Sequence, residues 1–283
     1  VRSFFESSWS QDERWNRDGE LFDLRSAAET HAMRAADHVL TIAETMRDDI
    51  VSRGVPAGRV TVIPNGVDGA AFTPAPPDPA LRARYGLGDA FTFGYVSNLD
   101  HRRENQELLV EAVAELRRRG RHVRCLIVGE GSRRAEIERI ARERGVAADV
   151  LFTGPVAHEE VAAHYALLDA FVVPRRDEWA SRHVTPLKPF EAMAMERPLV
   201  VAALPALLEI IDDDRGLSFP ADDAGALTTA LERLMDDPAL ARRIGVAGRE
   251  WVARERSWSA NGIRLAEIYR EVTERWTARA GAA

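Results

Sequence analysis

The chain has 283 residues, 38 Lys plus Arg against 45 Asp plus Glu, and a net charge of −7. Its 46% apolar and 29% charged content is that of an ordinary globular protein, and its length suits roughly two domains. The negative balance argues against broad nucleic-acid binding. The single cysteine, Cys125, excludes a disulfide framework, so a reducing cytoplasm is expected. No apolar run approaches the ~20 residues that span a bilayer.

The chain opens Val-Arg-Ser-Phe-Phe-Glu, which reads as the end of a strand entering a loop and suggests an N-terminal truncation. A charged helix is expected over residues 21–36. Val39 to Ile42 is a short buried strand, residues 43–53 alternate at helical spacing, and Val60 to Ile63 is a second strand closed by Pro64-Asn65-Gly66. The proline-rich stretch Thr73 to Pro79 reads as an interdomain linker.

From Phe91 the rhythm is strand, helix, strand, helix. Strands are expected at 91–96, 122–128, 150–153, 170–173, 199–202 and 217–219. Helices are expected at 104–119, 132–144, 158–168, 190–195, 205–211 and 224–235. Short links between alternating elements imply a parallel sheet covered on both faces, whose ligands bind at the carboxyl ends of the strands. From residue 238 to 280 the chain reads as helical and amphipathic, with Trp251, Trp258, Ile263, Ile268, Tyr269 and Trp276 on its apolar side. Cys125 falls in an apolar run and reads as a buried strand residue.

One stretch stands out chemically. Lys188 is the only lysine; the other 37 of the 38 basic residues are arginine. It sits just before a short helix, with Pro189 suited to the first helical position. A helix N-terminus presents unpaired N–H groups and a positive dipole end, and a lysine adds a compact charge suited to phosphate. Glu191 in the first turn can accept two hydroxyl hydrogens, as a ribose diol requires. The plainer alternative is a surface lysine and a dipole-complementing carboxylate.

The run Thr185-Pro186-Leu187-Lys188-Pro189-Phe190-Glu191-Ala192-Met193-Ala194, followed by Arg197-Pro198-Leu199-Val200-Val201, resembles the donor-site signature of retaining family-four glycosyltransferases of the GT-B fold. Within them it is similar to the subgroup written V-T-P-L-K-P-x-E-A-M-A. The resemblance covers roughly residues 39–269. It implies an α/β fold with a complete C-terminal Rossmann-like domain and only part of an N-terminal Rossmann-like one. The expected division is 1–66 (acceptor domain), 67–245 (nucleotide-sugar domain) and 246–283 (helices crossing back). Val62 to Asp68 is similar to the family's interdomain crossing.

The resemblance further implies that Lys188 binds the donor diphosphate and Glu191 the nucleotide ribose. The backbone of Thr185, Pro186 and Leu187 would face the donor phosphate and sugar. His183 stands where many members carry a sugar-binding Glu. Asn98 stands where relatives have an Arg, and Arg103 falls where they have a second diphosphate cation. Gly154 and Pro155 would lie against the base. Arg2 falls where many relatives have a His facing the donor sugar. Gly129-Glu130-Gly131-Ser132 resembles the family's G-x-G turn, and Glu209 matches a family Glu. In the loop 174–182, Arg175 and Arg182 are either phosphate or acceptor contacts or ordinary solvated residues. His158 and His164, six apart, are on different helix faces and do not form a metal site.

The reaction so implied transfers a sugar from a nucleotide diphosphate sugar to an acceptor sugar, lipid or small molecule, with retention and without a metal or other cofactor. Arg103 and Lys188 would be its electrostatic catalysts. A truncated chain is expected to transfer weakly or not at all and to associate through its incomplete first domain. Arg117 to Arg119 end a helix, where cations favour the dipole, and read as a solvated face, with weak peripheral membrane contact as the lesser alternative. The alternatives are a nucleotide-binding module or partner subunit without transferase activity, and a GT-B nucleotide-sugar epimerase.

Overall fold

A computed structural model describes residue 1, residues 20–212 and residues 214–280. Helix α1 (Glu20–Ala35) leads into β1 (Val39–Thr41), α2 (Glu44–Ser52) and β2 (Val60–Val62). The two strands pair in parallel, Val39 opposite Val60. Their apolar faces, with Met33, Met46, Ile50 and Val55, form a small core of their own.

The second unit begins with α3 (Pro79–Arg84), a helix that starts at the last residue of the stretch read as a linker. Asp78 caps it, accepting from the N–H groups of Ala80 and Leu81. There follow β3 (Phe91–Val96), α4 (Gln106–Arg118), β4 (Val123–Val128), α5 (Arg134–Glu143), β5 (Val150–Phe152), α6 (Val161–Ala166) and β6 (Ala170–Val173). Then come α7 (Trp179–His183), α8 (Lys188–Ala194), β7 (Leu199–Ala202), α9 (Pro205–Leu208), β8 (Gly216–Phe219), α10 (Ala224–Asp236), α11 (Pro238–Glu255) and α12 (Trp258–Ala280).

Six strands form one parallel sheet in the order β5-β4-β3-β6-β7-β8. Ala-Phe-Val-Val and Leu-Val-Val-Ala, the whole of β6 and β7, are buried. Continuous apolar strands are what a sheet covered by helices on both faces requires. The strand order reverses between β3 and β6, and a crevice opens at the carboxyl ends of the strands at such a point.

The expected strands are all present, with ends shifted by a residue at most. Two readings are corrected. The loop 174–182 runs into a helix, α7. The helix at 190–195 starts earlier, so Lys188 is its first residue and Pro189 its second. The C-terminal tail is helical as expected, in two helices broken at Arg256-Ser257. The expected boundary at 245/246 falls within α11, whose Ile244, Trp251 and Val252 all belong to the large core.

The two units are joined at that break. Val67 N–H donates to Arg256 O (2.8 Å) and Asn261 Nδ2 to Pro64 O (2.7 Å). Gly66 has no room for a side chain: a Cβ there would lie 3.0 Å from both the Trp258 ring and Arg256 O. Helix α12 then runs back over the first unit, where Arg279 pairs with Asp37. Its Ile263, Tyr269 and Trp276 are more than 60% exposed.

Candidate active site

The site residues lie at the carboxyl ends of β3, β4, β5 and β6 and in the segment that follows β6. After β3 the chain continues against β4: Ser97 N–H donates to Val128 O and Leu99 N–H to Glu130 O, both at 3.0 Å. This close approach explains the two glycines of the G-x-G turn. A Cβ on Gly129 would stand 2.0 Å from Ser97 O, and one on Gly131 2.5 Å from the Leu99 carbonyl carbon. Gly129→Ala is therefore expected to destabilise the protein by about 2 kcal/mol or more, since φ here is +135° as well. Denaturant melts read this directly; an unchanged midpoint would mean the turn relaxes freely.

Asn98 is exposed and curls back, its Oδ1 accepting from Asp100 N–H at 2.6 Å. Gly154 takes a left-handed conformation (φ +73°) and bridges to Gly129, so the expected base-binding loop lies beside the G-x-G turn. Pro155 is exposed there.

Arg103 stands in a single 3-10 turn, 102–104, after β3. Its carbonyl accepts from Arg176 N–H at 2.9 Å, which ties the β3 and β6 loops together across the crevice. Its Nε lies 3.4 Å from Glu104 Oε1. Glu104 is buried, and Arg175 grips it with two bonds, Nε to Oε2 at 3.2 Å and Nη2 to Oε1 at 3.0 Å. Tyr95 donates its hydroxyl hydrogen to the same carboxylate. Burial alone would raise the Glu104 pKa. The Arg175 charge and the hydrogen bonds from Tyr95 and Arg175 outweigh it and hold the group at about 2. Arg175 is thus neither a solvated loop residue nor a phosphate contact. It is the buried counter-ion of Glu104. Arg182 is exposed and paired with Asp177.

The remaining guanidinium nitrogen of Arg175 donates to Val184 O at 3.0 Å. Thr45 Oγ1 donates to His183 O (3.2 Å) and Asn65 Nδ2 to Thr185 O (3.0 Å). Three successive carbonyls of the signature are therefore held by three parts of the chain: α2, the β6 loop and the interdomain turn. Trp179 and Val184 pack on the small core of the first unit. Glu209 reinforces the contact between units, its two oxygens accepting from Glu44 N–H (3.0 Å) and Thr45 N–H (2.9 Å) at the start of α2.

The backbone so held presents Thr185 and Pro186 buried and Leu187 39% exposed. Lys188 is half-buried, and no carboxylate among the described residues pairs with it. Helix α8 is two turns long, so the cation here is the ammonium group rather than the dipole. Glu191 is half-buried, and its Oε2 accepts from Tyr165 Oη at 2.7 Å. His183 stacks on Trp179 (4.3 Å between ring centres), and its Nδ1 donates to Trp179 O at 2.8 Å. Only Nε2 is then left to meet a ligand. Arg2 lies outside the described residues.

Sequence reasoning missed Tyr95, Glu104 and Tyr165, and the grips of Thr45 and Asn65. The tyrosines sit in apolar runs and read as core. Glu104 follows Arg103 at the mouth of a helix and carries no spacing signal of its own. Among the described residues, no three His, Cys, Asp or Glu side chains come together as a metal site would require, and no helix is long and apolar enough to cross a membrane.

Residues 90–237, just over half the chain, match the family model of glycosyl transferases group 1, and residues 8–70 match that of glycosyltransferase family 4. The chain belongs to the group 1 glycosyltransferases. It is 36% identical over 237 residues to the GDP-mannose-dependent alpha-(1-6)-phosphatidylinositol monomannoside mannosyltransferase of Mycolicibacterium smegmatis, covering 82% of this chain and 62% of that enzyme. It is 33% identical over 250 residues to the alpha-D-kanosaminyltransferase of Streptomyces kanamyceticus, covering 87% and 63% respectively.

Among solved structures, sucrose-phosphate synthase from Thermosynechococcus elongatus superposes with a TM-score of 0.79 at 29% identity, over 97% of this chain and 67% of that one. Anabaena HepE in complex with UDP gives 0.80 at 18% identity, over 96% and 71%. The fold of this glycosyltransferase is therefore the α/β GT-B type. The chain spans a little over three-fifths of the length of the curated relatives it matches.

Proposed function

We propose that this group 1 chain binds a nucleotide diphosphate sugar in the crevice between β3 and β6 and transfers the sugar to an acceptor hydroxyl. Configuration is retained and no metal takes part. The observation that carries this reading is Lys188. The only lysine of the chain stands, without an ion-pair partner among the described residues, in a segment whose backbone is pinned from three directions.

Lys188 and Arg103 would flank the diphosphate. As the bond from the anomeric carbon to the diphosphate breaks, the leaving group keeps the electron pair, and the two cations offset its charge. The acceptor oxygen bonds to the same carbon, and its hydroxyl proton passes to the departing diphosphate oxygen, which has kept the electron pair. Glu191 would accept from the ribose hydroxyls. The Gly154-Pro155 backbone would lie along the base, and His183 Nε2 and Asn98 would meet the sugar and phosphate side of the donor. The names of the relatives support transfer of a hexose; the base and the acceptor are left open by them.

Calorimetric titration with UDP, GDP, ADP and dTDP tests the reading. Binding of one diphosphate identifies the donor base. Failure of all four to bind would remove the donor site. Transfer is expected to survive excess chelator unchanged; its loss, restored by Mg²⁺ or Mn²⁺, would contradict the metal-free reading.

A further inference from the structure

The residue beneath Glu191 is Tyr165, at the end of α6. Its ring is fully buried, edge-on to Phe72 from the interdomain segment (5.9 Å) and tilted against Phe171 of β6 (5.4 Å). Its hydroxyl emerges under the first turn of α8. There it is 2.7 Å from Glu191 Oε2 and 3.5 Å from Lys188 O. A phenol has one hydrogen, and the shorter contact places it on the carboxylate. Burial, then the Glu191 charge beside it, keep this phenol protonated far above neutrality, so it is a permanent donor. Oε1 of Glu191 makes no hydrogen bond among the described residues.

We propose that Tyr165 is a positioning residue for ribose recognition: its buried hydroxyl clamps one oxygen of Glu191 and fixes the other for the ribose hydroxyls. The inference rests on the donor-site reading above. A half-buried glutamate without this clamp has three rotatable bonds and would sample orientations that miss the diol. With it, the side chain is anchored at its far end by a group that cannot itself move, because two aromatic contacts hold the ring. Tyr165 acts through Glu191, to which it makes its shorter bond, and its effect is therefore expected at the ribose.

The test is calorimetric titration of the full chain with UDP, GDP and ADP and with their 2′-deoxy counterparts. The unaltered chain is expected to prefer the ribo form of the diphosphate it binds. Tyr165→Phe, which keeps the ring, is expected to lower that preference about fivefold. Glu191→Ala is expected to abolish it, and adding Tyr165→Phe on that background should change nothing further. A loss of packing alone would weaken ribo and deoxy forms equally. If Tyr165→Phe fails to fold, Glu191→Asp, which withdraws the carboxylate from the tyrosine by one methylene, should show the same loss of preference. A full ribo preference in Tyr165→Phe, or in Glu191→Asp where that stands in for it, refutes the positioning role while leaving the donor site in place. Absence of binding by the unaltered chain removes both.

Discussion

Arg175→Ala is expected to destabilise the protein by about 3–5 kcal/mol, and so to lower its melting temperature by roughly 10 °C. The guanidinium is 8% exposed and makes all of its described bonds inside the protein: two to Glu104 and one to Val184 O. Removing it strands a buried carboxylate whose only other close donor among the described residues is Tyr95, with the more distant Arg103 Nε at its edge. It also leaves a signature carbonyl without its donor, a further penalty of about 1–3 kcal/mol in a dry site. Arg175→Lys recovers little, because an ammonium cannot span both carboxylate oxygens and the carbonyl in one plane. Pairing Arg175→Met with Glu104→Leu should recover much of the loss, since the cost lies in the uncompensated charge. If the single variant melts like the unaltered chain, the pair is not the strut described.

The same pair makes stability depend on acid. The Glu104 carboxyl is held at about 2, below its ordinary 4.5. A depressed carboxyl stabilises the fold above its unfolded pKa, and the contribution fades as pH falls toward the folded one. On the order of 3 kcal/mol should therefore be lost between about pH 5 and pH 2. Urea unfolding at pH 5 and pH 3 measures this, and Glu104→Gln should flatten that part of the profile.

Lys188→Ala is expected to weaken binding of the nucleoside diphosphate 10- to 100-fold, from the loss of a charge-assisted contact of about 1.5–3 kcal/mol. Transfer should fall further, by about 10²–10³, because charge on the diphosphate grows as the sugar leaves. The melting temperature should barely change, since Lys188 pairs with no carboxylate among the described residues. That separation of binding from stability distinguishes a ligand cation from a structural one. Lys188→Arg should restore only part of the activity: a planar fork does not replace a compact ammonium on a short reach. Unchanged affinity in Lys188→Ala would show that the lysine serves the surface and not the donor.

Much of the fold was legible before any coordinates. Parallel strands buried on both faces announce themselves as unbroken apolar runs, and β6 and β7 are four such residues each. Asp78, Asp223 and Asp237 cap α3, α10 and α11, and only the coordinates showed them in that role. Lys188 stood out as a candidate because it is the only lysine in the sequence, and Glu191 because it lies beside it in the first turn of the same helix. Arg175 did not. In sequence it is one of two arginines in a polar loop, and nothing local distinguishes it from Arg176, which lies at the surface with Glu107 and Asp222.

What the sequence determined by itself was the order of strands and helices and the parallel sheet that follows from their alternation; it also marked 185–191 as the candidate segment for the chemistry. These depend on periodicity and on residue types within a few positions of one another. Only the tertiary structure decided which charges face inward and what holds the signature in place. Glu104 meets Arg175 across 71 residues, Asn65 reaches Thr185 across 120, and Thr45 reaches His183 across 138. Such contacts are set by how two packed units approach each other. A buried carboxylate and a solvated one are spelled with the same letter, and only the surrounding dielectric and partners tell them apart.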